Sequence, residues 1–486
     1  MSKFRPLSFY EDSLKTGYKL LPFQFTRLEG DEYLVSNLVG EFVTLDRPTL
    51  EHFARHTLAP KTSVYDTLKS KHFLLDDDSS VALDLLALKL RTKLYTLSAF
   101  TSLHIFVVSL RCEHSCPYCQ VSRQSDDKLA FDMSAETAER ALQMVFKSPS
   151  PTIKIEFQGG EPLLNFERIQ AIVSRAEEIN QTEKRNLQFV IATNLAIVTD
   201  EILAFCLEHQ ILISTSLDGP ESLHNKNRPR PGRDSHQRAI KGIEMARAVL
   251  GRDRVSALMT TTRDSLPRIR DIVDEYVRLE FDGIFLRALS PYGFAIKTKQ
   301  FSFYDRDAWL EFYKNGLDYI IEINKNGHHF VEYYAATILT KMLTPFNPGY
   351  VDLMSPAGIG ISVLVYNYDG DVYASDEGRM LAEMGDKTFR LGNLNEDSYE
   401  EIMLSDSLLD PIEQSFTGSV PMCSECAFES YCGAEPVYHH ATQGDFVGRK
   451  AESDFCRRNM TIFRDLINRY RRDPEVAKIF QRWVSR

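Results

Sequence analysis

Cys112, Cys116 and Cys119 stand in the run R-C-E-H-S-C-P-Y-C, directly after the apolar stretch Leu103 to Leu110. Three thiolates on one short loop can hold three corners of an iron–sulfur cube, whereas such clusters normally take four cysteines. A three-cysteine loop with no fourth cysteine nearby therefore points to an iron kept open for a small molecule. A strand followed by such a loop also fits the placement of chemistry at the C-terminal ends of strands in α/β folds. The plainer alternative is a zinc-bound or incidental cluster, although zinc sites usually show paired C-x2-C units and four ligands.

The elements that must position this loop read as alternating strands and helices over residues 101–330. Short, mostly apolar runs at 103–110, 152–157, 187–193, 211–217, 254–260 and 283–289 predict strands buried on both faces. Helical patterns lie between them near 134–147, 166–180, 199–209, 235–250 and 264–279; the second places Ile169, Ile172 and Val173 on one face. Such alternation implies a parallel sheet with right-handed crossovers, and six units are fewer than the eight of a closed barrel. Residues 1–100 predict a small α+β domain, with short strands near 20–25, 33–35 and 41–45 and helices near 48–57 and 63–71. Residues 331–486 predict a cysteine-bearing C-terminal domain that ends in a helix near 461–484.

A chain of 486 residues exceeds the size of a single core and predicts more than one domain. Its net charge of −11, with no dominant basic block, argues against broad nucleic-acid binding. The first ten residues lack an apolar targeting core, and no run approaches the length of a membrane span, so a cytoplasmic protein is expected. Eight cysteines, seven of them in two clusters, then read as metal ligands rather than disulfides.

The C-x3-C-x2-C loop, with Tyr118 before its third cysteine, resembles that of radical S-adenosylmethionine (SAM) enzymes. The resemblance implies that Cys112, Cys116 and Cys119 ligate a [4Fe–4S] cluster whose open iron chelates SAM, which is cleaved to a 5′-deoxyadenosyl radical that abstracts hydrogen from a substrate. It also implies a partial (β/α)6 TIM-type barrel. Further segments match in order. Gly159-Gly160-Glu161-Pro162 resembles the motif that binds the methionine amino group; two glycines allow close backbone approach, and a carboxylate pairs with an ammonium. Asn194 follows in A-T-N-L, where relatives often carry T-N-G, so Leu195 departs from the pattern. Ser216 in S-L-D-G-P and Arg228 in N-R-P are the residues relatives use around the SAM ribose and carboxylate. Asp218 is expected to be a turn carboxylate bonding its own backbone. Phe285, Leu286 and S-P-Y-G resemble an adenine-contacting edge, although an apolar strand is a sufficient account of Phe285 and Leu286.

The second cluster, Cys423, Cys426, Cys432 and Cys456, resembles a C-terminal SPASM domain, which in full form carries two auxiliary clusters. Ser375, the Ala357-Gly358 region and Pro436 stand where that pattern has further cysteines. The remaining four imply one auxiliary [4Fe–4S] cluster; a four-thiolate zinc site is the alternative. His439 and His440 are expected at the surface, and Cys206 reads as a buried structural thiol. SPASM enzymes mostly modify ribosomally made peptides. L-L-P-F-Q-F, V-S-N-L-V-G-E-F-V-T-L, F-L-R-A-L-S-P-Y-G and D-E-G-R-M-L together resemble the B member of the radical SAM pair in His-Xaa-Ser peptide systems. That likeness implies a precursor peptide as substrate, a second radical SAM protein as partner and a reductant such as flavodoxin or ferredoxin. The N-terminal domain would then be a leader-peptide recognition element, with a packing extension of the barrel as the other reading. Asp376 and Glu377 are candidate proton acceptors, although a solvated turn would also account for them. A sulfatase-maturase-like formylglycine-forming oxidase and a non-catalytic metal-bound peptide scaffold are the competing functions.

Overall fold

The computed structural model describes residues 17–78, 81–302 and 304–484; the first ten residues, read above for a targeting core, lie outside them. Five strands, Leu103–Ser109, Thr152–Gly159, Asn186–Thr193, Leu212–Ser216 and Val255–Leu258, pair in chain order and in parallel. Helices Ala135–Val145, Phe166–Glu183, Asp200–Glu208 and Ser235–Leu250 supply the crossovers. Their starts are written locally: Ser134 Oγ accepts from Thr137 N, and Thr199 Oγ1 accepts from Ile202 N. The Phe166–Glu183 helix turns Ile169, Ile172, Val173 and Ala176 to the core, the face its spacing predicted.

The expected sixth strand keeps only Gly283–Ile284 in a ladder, parallel with Val331–Glu332 and outside the large sheet. Side chains take over the backbone groups beyond it. The Glu332 carboxylate accepts from Leu286 N (3.0 Å), and Thr261 Oγ1 donates to Arg287 O (2.6 Å). Thr261 N also donates to Arg287 O, so residues 285–289 still run beside the end of the fifth strand and the barrel wall continues.

The opposite edge of the sheet, at the first strand, carries further partners. Val363–Tyr366 adds in parallel to the first strand, and Asp371–Tyr373 and Arg390–Asn393 follow antiparallel, giving an eight-stranded mixed sheet. The first strand is buried over almost its whole length, so an open edge there would strand unpaired backbone groups.

The N-terminal strands Phe23–Arg27, Glu32–Asn37 and Phe42–Asp46 form an antiparallel sheet with its own core around Phe53, Leu68 and Phe73. It docks on the second cysteine loop: Ser36 Oγ donates to Ala427 O (2.6 Å), and Tyr431 Oη donates to Gly40 O (3.0 Å). The expected terminal helix is two, Asp454–Arg472 and Pro474–Val484. Pro474 cannot continue the first, and the Asp473 carboxylate caps the second through Glu475 N and Val476 N. No helix among the described residues is long and apolar enough to cross a membrane.

Candidate active site

The first cysteine loop leaves the C-terminal end of the first strand and is gripped from every side. Arg111, 5% exposed, forms a bidentate pair with Asp132 (both 2.7 Å) and donates to Leu164 O. Ser115 N donates to Pro229 O (2.7 Å), Phe294 N to Cys119 O (2.7 Å), and Thr298 Oγ1 to Pro117 O (2.7 Å). At Gly293 (φ +59) a Cβ would lie 2.3 Å from Gln120 O and 2.6 Å from Cys119 O, so S-P-Y-G clamps the third cysteine.

The two glycines of G-G-E-P serve the same loop. A Cβ on Gly159 would sit 1.8 Å from Ser109 O, and one on Gly160 would sit 2.3 Å from Arg111 O. Gly160 N donates to Ser109 O and Glu161 N to Arg111 O. Their close approach is thus to the backbone entering the cysteine loop. Glu161, 1% exposed, accepts from Thr193 Oγ1 (2.6 Å), Leu163 N (3.0 Å) and Asn194 N (2.9 Å). Burial and the nearby Glu113 carboxylate push its pKa up. Leu195, where relatives carry glycine, holds the left-handed region (φ +58) and packs its Cβ against Gly242.

Asp218 is not a self-bonding turn carboxylate. It is fully buried and collects Arg228 Nη2 (3.1 Å), Tyr118 Oη (2.8 Å) and Thr260 N (3.2 Å); Arg228 Nε lies 3.0 Å away, off the line of its N–H. Arg228 also covers the Tyr118 ring, 5.5 Å from its centroid. Tyr118 and Arg228 are thereby brought together beside Cys116, whose thiol burial pushes up while Arg228 pulls it down. Ser216 ends the fourth strand, half-buried, opposite Leu258. The Leu286 side chain, beyond the Gly283–Ile284 strand, packs on the Gly316 position of the Arg306–Lys325 helix and also borders the cavity described below.

His114 is a candidate site residue the sequence reading missed. It is 3% exposed, with Nδ1 3.0 Å from Glu113 and 3.1 Å from the Asn194 amide. Cys112, Glu113 and His114 bring possible ligand atoms within 4.8 Å of one another. Their adjacency in the chain was visible; their burial against Asn194 was not.

All eight cysteines are free thiols. Seven are half-buried, and Cys206 is fully buried in the Asp200–Glu208 helix. In the second set, burial raises the Cys423 pKa, and Cys432, Cys456 and Cys426 lie near enough to add to the rise. Lys450 opposes that rise, and Lys341 is buried with its ammonium donating to Cys432 O (3.3 Å). Free thiols held in fixed loops, with burial opposing their charge until a cation is bound, are a donor set that suits iron–sulfur ligation. His439, expected at the surface, is fully buried between Glu435 O and Ser453 Oγ (both 2.8 Å).

Asp376 and Glu377 separate. Asp376 pairs with Arg379 (2.9 Å), a fully buried guanidinium that also donates to Val121 O just past the first cysteine loop. Glu377 instead lines a small, partly open cavity between the barrel and the C-terminal residues, 3.4 Å from Arg287. Burial and the Asp352 and Asp376 carboxylates push its pKa up.

Residues 106–276 match the model of the Radical SAM superfamily. The chain is 24% identical over 348 residues to a cysteine-type anaerobic sulfatase-maturating enzyme of Clostridium perfringens, covering 68% of this chain and 87% of that one. It is 28% identical over 190 residues to an uncharacterized protein of Methanocaldococcus jannaschii, covering 38% of this chain and 62% of that protein. Among solved structures, native anSMEcpe with bound AdoMet superposes with a TM-score of 0.60 at 19% identity over 76% of this chain and 98% of that one. Streptococcus suis SuiB bound to the precursor peptide SuiA superposes with a TM-score of 0.53 at 17% identity over 90% and 99%. Residues 106–276, which hold the three-cysteine loop, thus match the Radical SAM superfamily, whose members use a [4Fe–4S] cluster and SAM, and the α/β fold is that of radical SAM proteins.

Proposed function

We propose that this protein is a radical SAM enzyme that modifies a ribosomally made precursor peptide, of the His-Xaa-Ser type. The observation that carries the reading is the three-cysteine loop, clamped at the mouth of the sheet, beside a partly open, aromatic-walled cavity whose wall includes Tyr292 of that clamp and Glu435, three residues past Cys432. Cys112, Cys116 and Cys119 would hold the SAM-binding [4Fe–4S] cluster, and Cys423, Cys426, Cys432 and Cys456 one auxiliary [4Fe–4S] cluster. When bound, these cofactors supply a 5′-deoxyadenosyl radical for hydrogen abstraction.

The chain's own residues orient and exclude. Tyr118 and Arg228, locked through Asp218, wall Cys116. Glu161 and Asn194 are held as one network with His114, and Ser216 lies at the same end of the sheet. Glu377 is the better candidate proton acceptor, because it faces the cavity with a raised pKa, whereas Asp376 is committed to Arg379. Residues 1–100, 101–330 and 331–486 serve as peptide-recognition, barrel and auxiliary-cluster domains. The exposed Phe25 on the Phe23–Arg27 edge strand suits strand addition by a leader. A second radical SAM protein and a small electron carrier are the expected partners.

A sulfatase-maturase-like oxidation is the second reading, favoured by the Clostridium perfringens relative. The absence of cysteines at Ser375, Ala357-Gly358 and Pro436 weighs against it. The test is anaerobic co-expression with the neighbouring precursor peptide and mass spectrometry of the product. A defined loss of hydrogen supports the proposal, and an unmodified peptide with intact clusters refutes it. Cys116→Ala is expected to abolish 5′-deoxyadenosine formation. Cys426→Ala is expected to lose about four irons per chain and to leave uncoupled SAM cleavage.

A further inference from the structure

The second cysteine set is surrounded by positive charge that ligation alone does not require. Lys341, on the Tyr333–Leu343 helix, is 2% exposed, and its ammonium donates to Leu353 O and to Cys432 O (3.3 Å). Both acceptors are neutral carbonyls, and no carboxylate lies within ion-pair distance of it among the described residues. Burying an ammonium without a counter-charge is costly, so the site asks for an anion. Lys450 reaches the same set from a separate segment. Its Nζ donates to Val447 O and lies 3.5 Å from His439 Nε2, again without an ion pair among the described residues. His439 Nδ1 faces Glu435 O (2.8 Å), which can only accept, so Nδ1 carries the proton and Nε2 is the acceptor. Nε2 also meets Ser453 Oγ (2.8 Å), and Ser453 Oγ accepts from Cys456 N (3.2 Å). A line of polar contacts thus ties Lys450 to Cys456.

Donors are also turned toward the sulfurs themselves. Phe428 N donates to Cys426 Sγ (3.4 Å). Asn459 is fully buried, and its Oδ1 accepts from Tyr334 Oη (2.7 Å), which leaves its amide nitrogen 3.9 Å from Cys432 Sγ. A [4Fe–4S]2+ core on four thiolates carries two net negative charges, and reduction adds a third. Ammonium groups fixed beside such a centre stabilise the reduced state more than the oxidised one, and burial strengthens the effect by excluding water. Donors on the sulfurs act in the same direction, since net charge and hydrogen bonds to sulfur are among the properties that set a cluster's potential. A zinc ion on the same thiolates would balance the lysines equally well but has no redox state for them to set.

We infer that Lys341 and Lys450 are positioning residues of the second site, fixed counter-charges that raise the reduction potential of a cluster held by Cys423, Cys426, Cys432 and Cys456. The inference rests on the auxiliary-cluster assignment and deepens it, because it makes that cluster a redox centre with a tuned potential and not only a structural staple.

The test is a redox titration of the full-length, cluster-loaded protein, followed by electron paramagnetic resonance with and without SAM. The signal that SAM alters belongs to the cluster on the first loop, and the SAM-insensitive signal to the second. Lys341→Met and Lys450→Gln should each make the second cluster at least tenfold harder to reduce, a fall of about 60 mV in midpoint potential for one electron. The SAM-sensitive signal should keep its parent midpoint. Lys341→Arg retains the charge and should return the second midpoint to within about threefold of the parent, or about 30 mV. Lys241→Gln removes the same charge from an exposed position on the Ser235–Leu250 helix and should move neither signal. A packing role alone would cost stability or iron without shifting the midpoint of the clusters that remain. Should Lys341→Met fail to hold the second cluster, Lys450→Gln decides, since that side chain is only half-buried. Two iron clusters with midpoints within about threefold of the parent in the neutral variants overturn the inference alone. Zinc in the second set overturns it together with the auxiliary-cluster assignment.

Discussion

Replacing Asp218 by Asn keeps the side-chain shape and removes its charge. Asp218 has no exposed side-chain surface and Arg228 13%, so the guanidinium cannot turn to water for compensation. Breaking one side of a buried ion pair costs about 3–5 kcal/mol. The lower end applies here, because Asn retains one oxygen for Arg228 Nη2 or Thr260 N and Arg228 keeps a little solvent contact. The new amide N–H group meets donors, Tyr118 Oη and the guanidinium, that previously met an acceptor. The expected cost is therefore about 3 kcal/mol. Urea unfolding, with native-state hydrogen exchange at the Thr260 amide as the local probe, reads it. The cycle Asp218→Asn, Arg228→Gln and the double variant separates the pair from its surroundings, with a coupling of about 2 kcal/mol or more expected. Iron content should fall with Asp218→Asn, since Tyr118 loses its anchor between Cys116 and Cys119. Additivity of the two single variants within about 0.5 kcal/mol, with full iron retained, would refute the claim that this buried triad supports the cysteine loop.

Gly293→Ala must push back the Cys119–Gln120 backbone, so anaerobically purified protein should contain fewer irons per chain. Gly444→Ala, at φ +70 with nothing within 4 Å, should cost only about 1 kcal/mol and leave the iron unchanged. His104 is fully buried, with Nδ1 3.0 Å from Tyr366 Oη, and burial lowers its pKa to about 3. The unfolded chain takes up this proton near pH 6.5 and the folded chain does not, so stability is full above 6.5 and falls by about 1.4 kcal/mol per pH unit below it. His104→Gln should flatten the slope of urea-determined stability between pH 6.5 and 4 by one proton. Asp376→Asn, which frees the buried Arg379, should lower thermal stability. Glu377→Gln should leave stability near the parent value and lower peptide modification under conditions where SAM cleavage persists.

The chemistry-bearing segments were legible in the sequence because each is local. The cysteine spacing, G-G-E-P and the S-L-D-G-P turn sit within a few residues, and a strand followed by a helix announces itself by the period of its apolar residues. The five parallel strands and their crossover helices formed close to where that periodicity placed them. What failed depended on distance. The sixth strand shortened because Glu332 and Thr261, remote in sequence, take its backbone groups, and the second edge of the sheet was filled from residue 363 onward by a strand with no motif to mark it. Asp218 looked like a turn carboxylate because its partners Tyr118 and Thr260 lie far away along the chain. Glu435 and His439 carried no signal at all, since a residue's burial beside a cavity is set by segments that meet only after folding. The sequence alone thus named the candidate ligands and their order, for the capacity to bind a metal is a property of residue type. Tertiary structure alone decided which carboxylates are neutralised and which face the cavity, because solvation and pairing arise from contacts between distant segments.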